Sequence, residues 1–282
     1  TRGQYTQRYG FVQPYEGFVN YRWLATLAGE KIGGAWFDHG DCDADDFIEQ
    51  AYQTVLAGAR EIVLFHYFAF VQGHPGHQHL RRQFNTLADL AQTVAKHPVT
   101  GVYGYKPPHS DAGGDLYIMD FIGMLGIPLV PVSQYPTDGR VIFLPTQAAM
   151  DSDITAKLKA SLDKEATLVL TSGFLMSVKD GRELAELAGL NWPMTPMTER
   201  TVPVAVGADF SVNTAKVLLE ISSMGRTIPL FTQKDNIFVL NTHTFSQADF
   251  DAVGEVLLCP RPLGLLEIPQ DWTNTIRRAF NE

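Results

Sequence analysis

Two short apolar segments, Ile32–Phe37 and Ile62–Tyr67, flank a stretch whose apolar residues recur every three or four positions. Short apolar runs on either side of one amphipathic helix predict a βαβ unit with parallel strands. The helix is expected over Asp45–Ala57, with Phe47, Ile48, Ala51, Tyr52, Val55 and Leu56 on one face. Asp43 suits its N-cap, Asp45 and Asp46 its positive end, and Gly58 its C-terminal stop. Upstream, residues 1–20 carry Gly, Tyr and Gln without periodicity and read as a loop, and Phe18–Leu27 as a short helix stopped at Gly29. Downstream, a polar loop from Val71 to His79 leads to a helix from about Leu80 to Lys96, with Phe84, Leu87, Ala91 and Val94 turned inward. His97 and Pro98 end it, because the residue before a proline avoids the helical region.

The pattern then restarts. Strands are expected at Val99–Tyr105, Pro128–Val132, Val141–Leu144 and Thr167–Thr171, alternating with helices at Leu116–Leu125, Ser152–Leu162 and Arg182–Ala188. Strands that alternate with helices predict a parallel sheet covered on its faces. After residue 200 the rhythm changes to short β-type segments, Val202–Val206, Ala215–Ile221, Ile228–Phe231 and Ile237–Leu240. A helix opening at Ser246 with Asp249 three residues on, and another over Trp272–Phe280, close the chain. Three parts follow: 1–98, 99–200 and 201–282.

Composition narrows the classes. The chain has 282 residues, 45% hydrophobic and 19% charged, ordinary for a globular protein with room for more than one core. A net charge of −9 argues against nucleic acid and against anionic membrane surfaces as partners, since both call for clustered Lys and Arg. No apolar run reaches the roughly 18 residues that span a bilayer. The chain opens on Thr1, so an upstream leader could have been removed, and a soluble cytoplasmic or secreted location are equally open. Cys42 and Cys259 do not make a disulfide scaffold.

The chemistry gathers where βαβ units place it, at the carboxyl ends of the strands. Asp38, His39 and Asp41 follow the first strand, and His66 and Tyr67 close the second. Asp38 and His66 are the candidate catalytic pair. Trp36, His39, Asp41 and Tyr67 are candidates for substrate contact, with Trp36 and Phe37 as an aromatic stacking surface. His39, Asp41, Cys42 and Asp43 on one loop and His74, His77 and His79 on the next are metal-ligand types, but their spacing matches no specific metal motif. No metal and no cofactor is assigned.

The run from Gln50 to Tyr67, with its Ala57-Gly58-Ala59 turn into a strand, resembles the seventh helix and eighth strand of certain glycoside hydrolase barrels. Segments 126–130, 141–145, 167–174 and 179–190 are similar to the amidotransferase-like domain that follows the barrel in family 42 β-galactosidases and in uncharacterised bacterial relatives. The resemblance implies an α/β architecture: the last strands and helices of a (β/α)8-type barrel, then a flavodoxin-like, class I glutamine amidotransferase-like parallel-sheet domain, then a small β-rich tail. It implies carbohydrate processing by the C-terminal portion of a glycoside-hydrolase-like protein, with an oligosaccharide or glycoside as substrate. Asp38 stands near the family's nucleophile, a glutamate at the end of strand seven, and is one methylene shorter. The acid partner would come from an earlier strand, outside this chain, because a closed barrel needs eight strands and about 200 or more residues. A missing N-terminal barrel portion or a homo-oligomer would then complete the fold. The strand-to-helix turn at Thr171-Ser172-Gly173-Phe174 has no cysteine, so amidotransferase activity is not expected of the second domain. The rival readings are a non-catalytic binding or oligomerisation module and a metal-dependent hydrolase built on Asp38, His39 and the His74–His79 loop.

Overall fold

The computed structural model describes residues 16–39, 43–65, 67–110, 118–119, 122–123, 127–197, 200–201, 204–205, 207–223, 225–241, 275 and 277–279. The predicted βαβ unit is present. Helix α1 (Glu16–Ala28) leads through Gly29, at φ 57°, to strand β1 (Gly34–Asp38), helix α2 (Ala44–Leu56) and strand β2 (Glu61–Phe65). β1 and β2 pair in parallel, Asp38 opposite Phe65. The Asp43 carboxylate accepts the Asp45 N–H at 2.9 Å, as an N-cap should, and Gly58 takes φ 87° after α2.

Packing in this unit is one-sided. Alternate β1 residues Ala35 and Phe37 are buried, and Phe37 joins Phe47, Ala51 and Val55 of α2 in a small core. Helix α4 (Pro75–Val94) closes it with Leu87. The Phe37 ring lies 5.1 Å from that of Phe47, so it is core and offers no face to a sugar. Phe84, expected inward, is 63% exposed, and Leu56 is exposed as well, because α4 and α2 bury only a narrow stripe against each other. β2 keeps Ile62, Val63 and Leu64 exposed in succession, on both faces of the strand.

Seven further strands form a second sheet, in the order β11 (Lys216–Ser223), β12 (Arg226–Lys234), β13 (Ile237–Leu240), β6 (Thr167–Thr171), β5 (Val141–Leu144), β3 (Val102–Tyr105), β4 (Leu129–Val132). The two-residue strands β7 (Thr195–Pro196), β8 (Arg200–Thr201), β9 (Val204–Ala205) and β10 (Ala208–Asp209) pair antiparallel, β7 with β10 and β8 with β9. Five strands of the second sheet are parallel: β3, β4, β5, β6 and β13. In chain order their spatial sequence is second, first, third, fourth, fifth. Both faces are covered, which is why β6 is buried at every position. Phe143, Val169 and Phe231 fill one face; Ile142, Leu144 and Leu170 meet α5 (Ile154–Leu162), α6 (Ser172–Ser177) and α7 (Gly181–Leu187) on the other.

The β segments expected of a separate tail extend this same sheet. Strands β11 (Lys216–Ser223) and β12 (Arg226–Lys234) form a hairpin that pairs antiparallel onto β13. Asn241, fully buried after β13, ties the addition down: its amide nitrogen donates to the Ala208 and Pro229 carbonyls, and its oxygen accepts the Ala208 N–H, all at 2.8–2.9 Å. The helix expected at Ser246 lies outside the described residues, and 275 and 277–279 are helical as expected.

α1 belongs to both halves. Val19 sits in the large-sheet core, while Phe18 and Tyr21 pack with Ala35 and Ala57 of the small unit. Thr26 Oγ1 accepts the Ser133 N–H at 3.1 Å, and the Trp23 indole donates to the Lys106 carbonyl at 2.8 Å.

Candidate functional site

Parallel pairing brings the chain out of β1 and β2 on the same side, so the loops that follow the two strands start next to each other. Asp38 is the last residue of β1 and His39 the first beyond it. Asp41, Cys42 and His66 lie outside the described residues. Trp36 is 45% exposed, two positions before the strand end, and opposes Val63.

Tyr67 does not close β2. It opens a short helix, α3 (Tyr67–Val71), and the apolar run Tyr67–Val71 is exposed except at Ala69. The Tyr67 ring, 79% exposed, stacks on that of Phe70 at 6.2 Å with 27° between their planes. β2 ends at Phe65, and in the helical turn that follows Ala69 is the buried residue. An outward aromatic pair beside a strand end is suited to the apolar face of a ring-shaped ligand.

The loop expected from Val71 to His79 is largely helix. His74 is the N-cap of α4, its Nδ1 accepting the Gly76 N–H at 3.1 Å, and Pro75 sits at the first helical position. Gly76 is required there, since a Cβ would come within 2.8 Å of the Phe47 ring. This brings together three imidazoles that the sequence leaves on two loops. Ring centres of His39 and His74 are 5.1 Å apart, of His74 and His77 5.7 Å, and of His39 and His77 6.4 Å, with Phe47 5.0 Å from His77. His79 instead faces Asp45 at 3.4 Å.

Burial, then the neighbouring His39, lowers the His74 pKa below its usual value. Burial, then His74 and His39, does the same for His77, although the acceptor carbonyl of the His74 backbone opposes it. His74 and His77 are therefore favoured in their neutral forms. Because His74 Nδ1 accepts a hydrogen bond, its proton is on Nε2, which leaves neither nitrogen free to bind a cation. Among the described residues, no group of three or more His, Cys, Asp or Glu is placed to hold a metal ion. His77 is 7% exposed and its Nδ1 has no hydrogen-bond partner among the described residues.

In the second sheet, Ser172 occupies the strand-to-helix turn after β6 and is fully buried, while Thr171 Oγ1 caps the following helix by accepting the Phe174 N–H at 3.0 Å. Two further features were not legible as a site. Lys106, at the end of β3, is 2% exposed, with its ammonium 4.7 Å from the Trp23 ring centre and donating to Ser110 Oγ at 2.7 Å. The sequence around it, rich in proline and small polar residues, reads as a surface loop. Tyr105 donates to Asp151 at 2.7 Å, and Lys157 pairs with the same carboxylate at 2.6 Å.

With this geometry in view, the chain compares with known proteins as follows. Residues 1–108 match the family described as probable glycosyl hydrolase, catalytic domain, and residues 99–202 match that described as the second domain of the uncharacterized protein SSO3021. Residues 1–108 are thus glycoside-hydrolase-like. Among solved structures, a catalytic mutant of Gan42B, a GH42 β-galactosidase from G. stearothermophilus, matches with a TM-score of 0.54 and 11% identity over 87% of this chain and 46% of that one. The cold-adapted β-galactosidase of Rahnella sp. R3 matches with a TM-score of 0.50 and 12% identity, covering 88% of this chain and 48% of its own. A β-galactosidase from the haloarchaeon Halorubrum lacusprofundi matches with a TM-score of 0.50 and 13% identity over 87% and 46%. The likeness is one of fold, and the chain spans about half the length of these structures, a coverage that fits the C-terminal portion of such a layout. No curated protein matches it. Among the described residues, no helix is long and apolar enough to cross a membrane.

Proposed function

We propose that this chain processes carbohydrate as the C-terminal portion of a glycoside-hydrolase-like protein, binding a glycoside at the carboxyl ends of β1 and β2. The observation that carries the reading is the parallel register that sets Asp38 and His39 at the same end as the exposed Tyr67–Phe70 pair. In it, Asp38 is the nucleophile or charge-stabilising carboxylate, and His66 meets a sugar hydroxyl. Trp36, His39, Asp41 and Tyr67 shape the sugar site. The acid partner comes from barrel strands beyond the two described, which also cover the apolar faces of β2; a two-stranded parallel sheet exposed on both faces of one strand lacks neighbours. The large sheet is a flavodoxin-like, amidotransferase-type domain without catalysis of its own. Its strand order supports the first part, and the buried serine at its strand-to-helix turn the second.

The test is hydrolysis of chromogenic β-galactosides and β-glucosides by the full-length protein. Asp38→Asn is expected to lower kcat by at least about a hundredfold, the low end of what a reacting acid or base contributes. Unchanged turnover in that variant removes Asp38 from the chemistry. The exposed run Tyr67–Val71 also favours a second reading, a non-catalytic module whose apolar edge another chain covers. That reading predicts no turnover in any variant and a concentration-dependent change of mass on dilution.

A further inference from the structure

A cleft of about 410 Å³, lined by none of the residues at the β1 and β2 strand ends, lies between α1 and the loop that joins β4 to β5. Its volume falls within the roughly 300–1,000 Å³ typical of small-ligand sites, and it sits at the seam between two packed units beside the carboxyl end of a parallel strand, where such sites concentrate. Thr26 of α1 forms one wall, and the loop 133–139 the other. The Thr26–Ser133 hydrogen bond ties the two walls together at 3.1 Å.

The lining selects a chemistry. Tyr103 and Tyr135 line it with aromatic carbon; the Tyr135 hydroxyl is bonded to Ser161 at 2.9 Å and its ring is braced edge-to-face on Tyr105 at 5.3 Å. Ser133, Gln134 and Thr137 add neutral donors and acceptors. Among the described residues no Lys, Arg or His lines the cleft, so its lining does not favour a phosphate or an acidic ligand. Asp138, the one carboxylate among the described lining residues, is paired with Lys164 at 3.2 Å, so it does not call for a cation. Aromatic carbon with neutral hydrogen-bonding groups, and no unpaired charge among the described lining residues, fits a molecule that is apolar on one face and polyhydroxylated at its rim.

We infer that this cleft is an accessory binding site for a neutral saccharide unit, distinct from the site at the β1 and β2 strand ends. The inference rests on the carbohydrate reading above for the choice of ligand, and on the cleft's own geometry for its place. It predicts that the protein holds a glycoside at two points, the reacting bond near Asp38 and a further sugar unit on the large sheet.

The experiment is titration of the whole protein with lactose, followed by calorimetry and by protein-observed NMR, with inorganic phosphate as a second probe. The double variant Gln134→Ala/Thr137→Ala alters exposed side chains and leaves the core intact. It is expected to weaken lactose binding at least tenfold, whereas Tyr67→Ala leaves resonances of the loop 133–139 shifting as in the unaltered protein. Lactose binding unchanged in the double variant, no lactose binding at all, or phosphate binding equal to that of lactose overturns the proposal. Hydrolysis by Asp38→Asn is scored separately. Loss of the catalytic reading with retained, variant-sensitive lactose binding leaves the accessory site standing, and the reverse pattern removes it alone.

Discussion

The β1–β2 pair and the five-stranded parallel part of the large sheet differ in what surrounds them. Every residue of β6 is buried between helices on one face and the aromatic core on the other. Three consecutive residues of β2 are exposed. Parallel strands gain stability chiefly from burial on both faces, and among the described residues the large sheet has that cover while β2 does not. The candidate site residues belong to the exposed pair. That contrast is what the proposed barrel completion explains.

The sharpest way to break the comparison is a pair of truncations. Phe143→Ala, in the core of the large sheet, is expected to destabilise by about 3–5 kcal/mol, while Val63→Ala on β2 stays within about 0.5 kcal/mol. Chemical denaturation followed separately through hydrogen exchange of the two sheets reads both. A Val63→Ala cost that approaches the Phe143→Ala cost shows that β2 is already covered in solution.

A smaller effect tests how the hairpin β11–β12 is held. Asn241→Leu removes an amide that makes three buried hydrogen bonds and leaves the Ala208 N–H without its acceptor. An unsatisfied buried group costs roughly 1–3 kcal/mol. The expected loss is about 3 kcal/mol, with exchange protection falling first in β12 and β13. Loss confined to the β1–β2 unit contradicts this assignment.

The smallest expected effect is a separation in pH. His74 and His77 have folded pKa values below their usual 6.5, so between those values and 6.5 the unfolded chain binds more protons. Stability from this source is full above pH 6.5 and is lost as pH falls through the folded values. Asp151 in the large-sheet region behaves differently. Burial raises its pKa, but hydrogen bonds from Lys157 and Tyr105 outweigh that and leave it below 3.8. Its contribution is present above 3.8 and lost only at lower pH. Protection factors measured near pH 7 and near pH 5 should therefore fall in β1, α2 and α4 and hold in β5 and β6. His77→Phe should flatten the fall, and equal losses in both sheets overturn the separation.

How much of this was readable in the chain follows from which forces are local. β5 and β6 lie at Val141–Leu144 and Thr167–Thr171 as expected, because a short apolar run between turn residues has one low-energy answer when both its faces are buried. The Asp43 cap and the Gly58 stop are equally local. Phe84 failed because periodicity says which residues share a face but not whether a partner covers it. Tyr67 failed because the strand's end depends on the neighbour it pairs with. The helical start at His74 was hidden by a composition that also suits a loop.

The amino-acid sequence by itself determined the alternation of strands and helices, the caps and stops, the acidic balance and the cluster of polar residues after the first strand. Tertiary structure decided that the late β segments join the large sheet, that α1 is shared between both halves, that His39, His74 and His77 converge with the last two beside Phe47, and that a cleft opens beside β4. The first set is fixed by interactions within a few residues. The second depends on contacts between segments far apart in the chain, whose energies exist only once the whole sheet has formed.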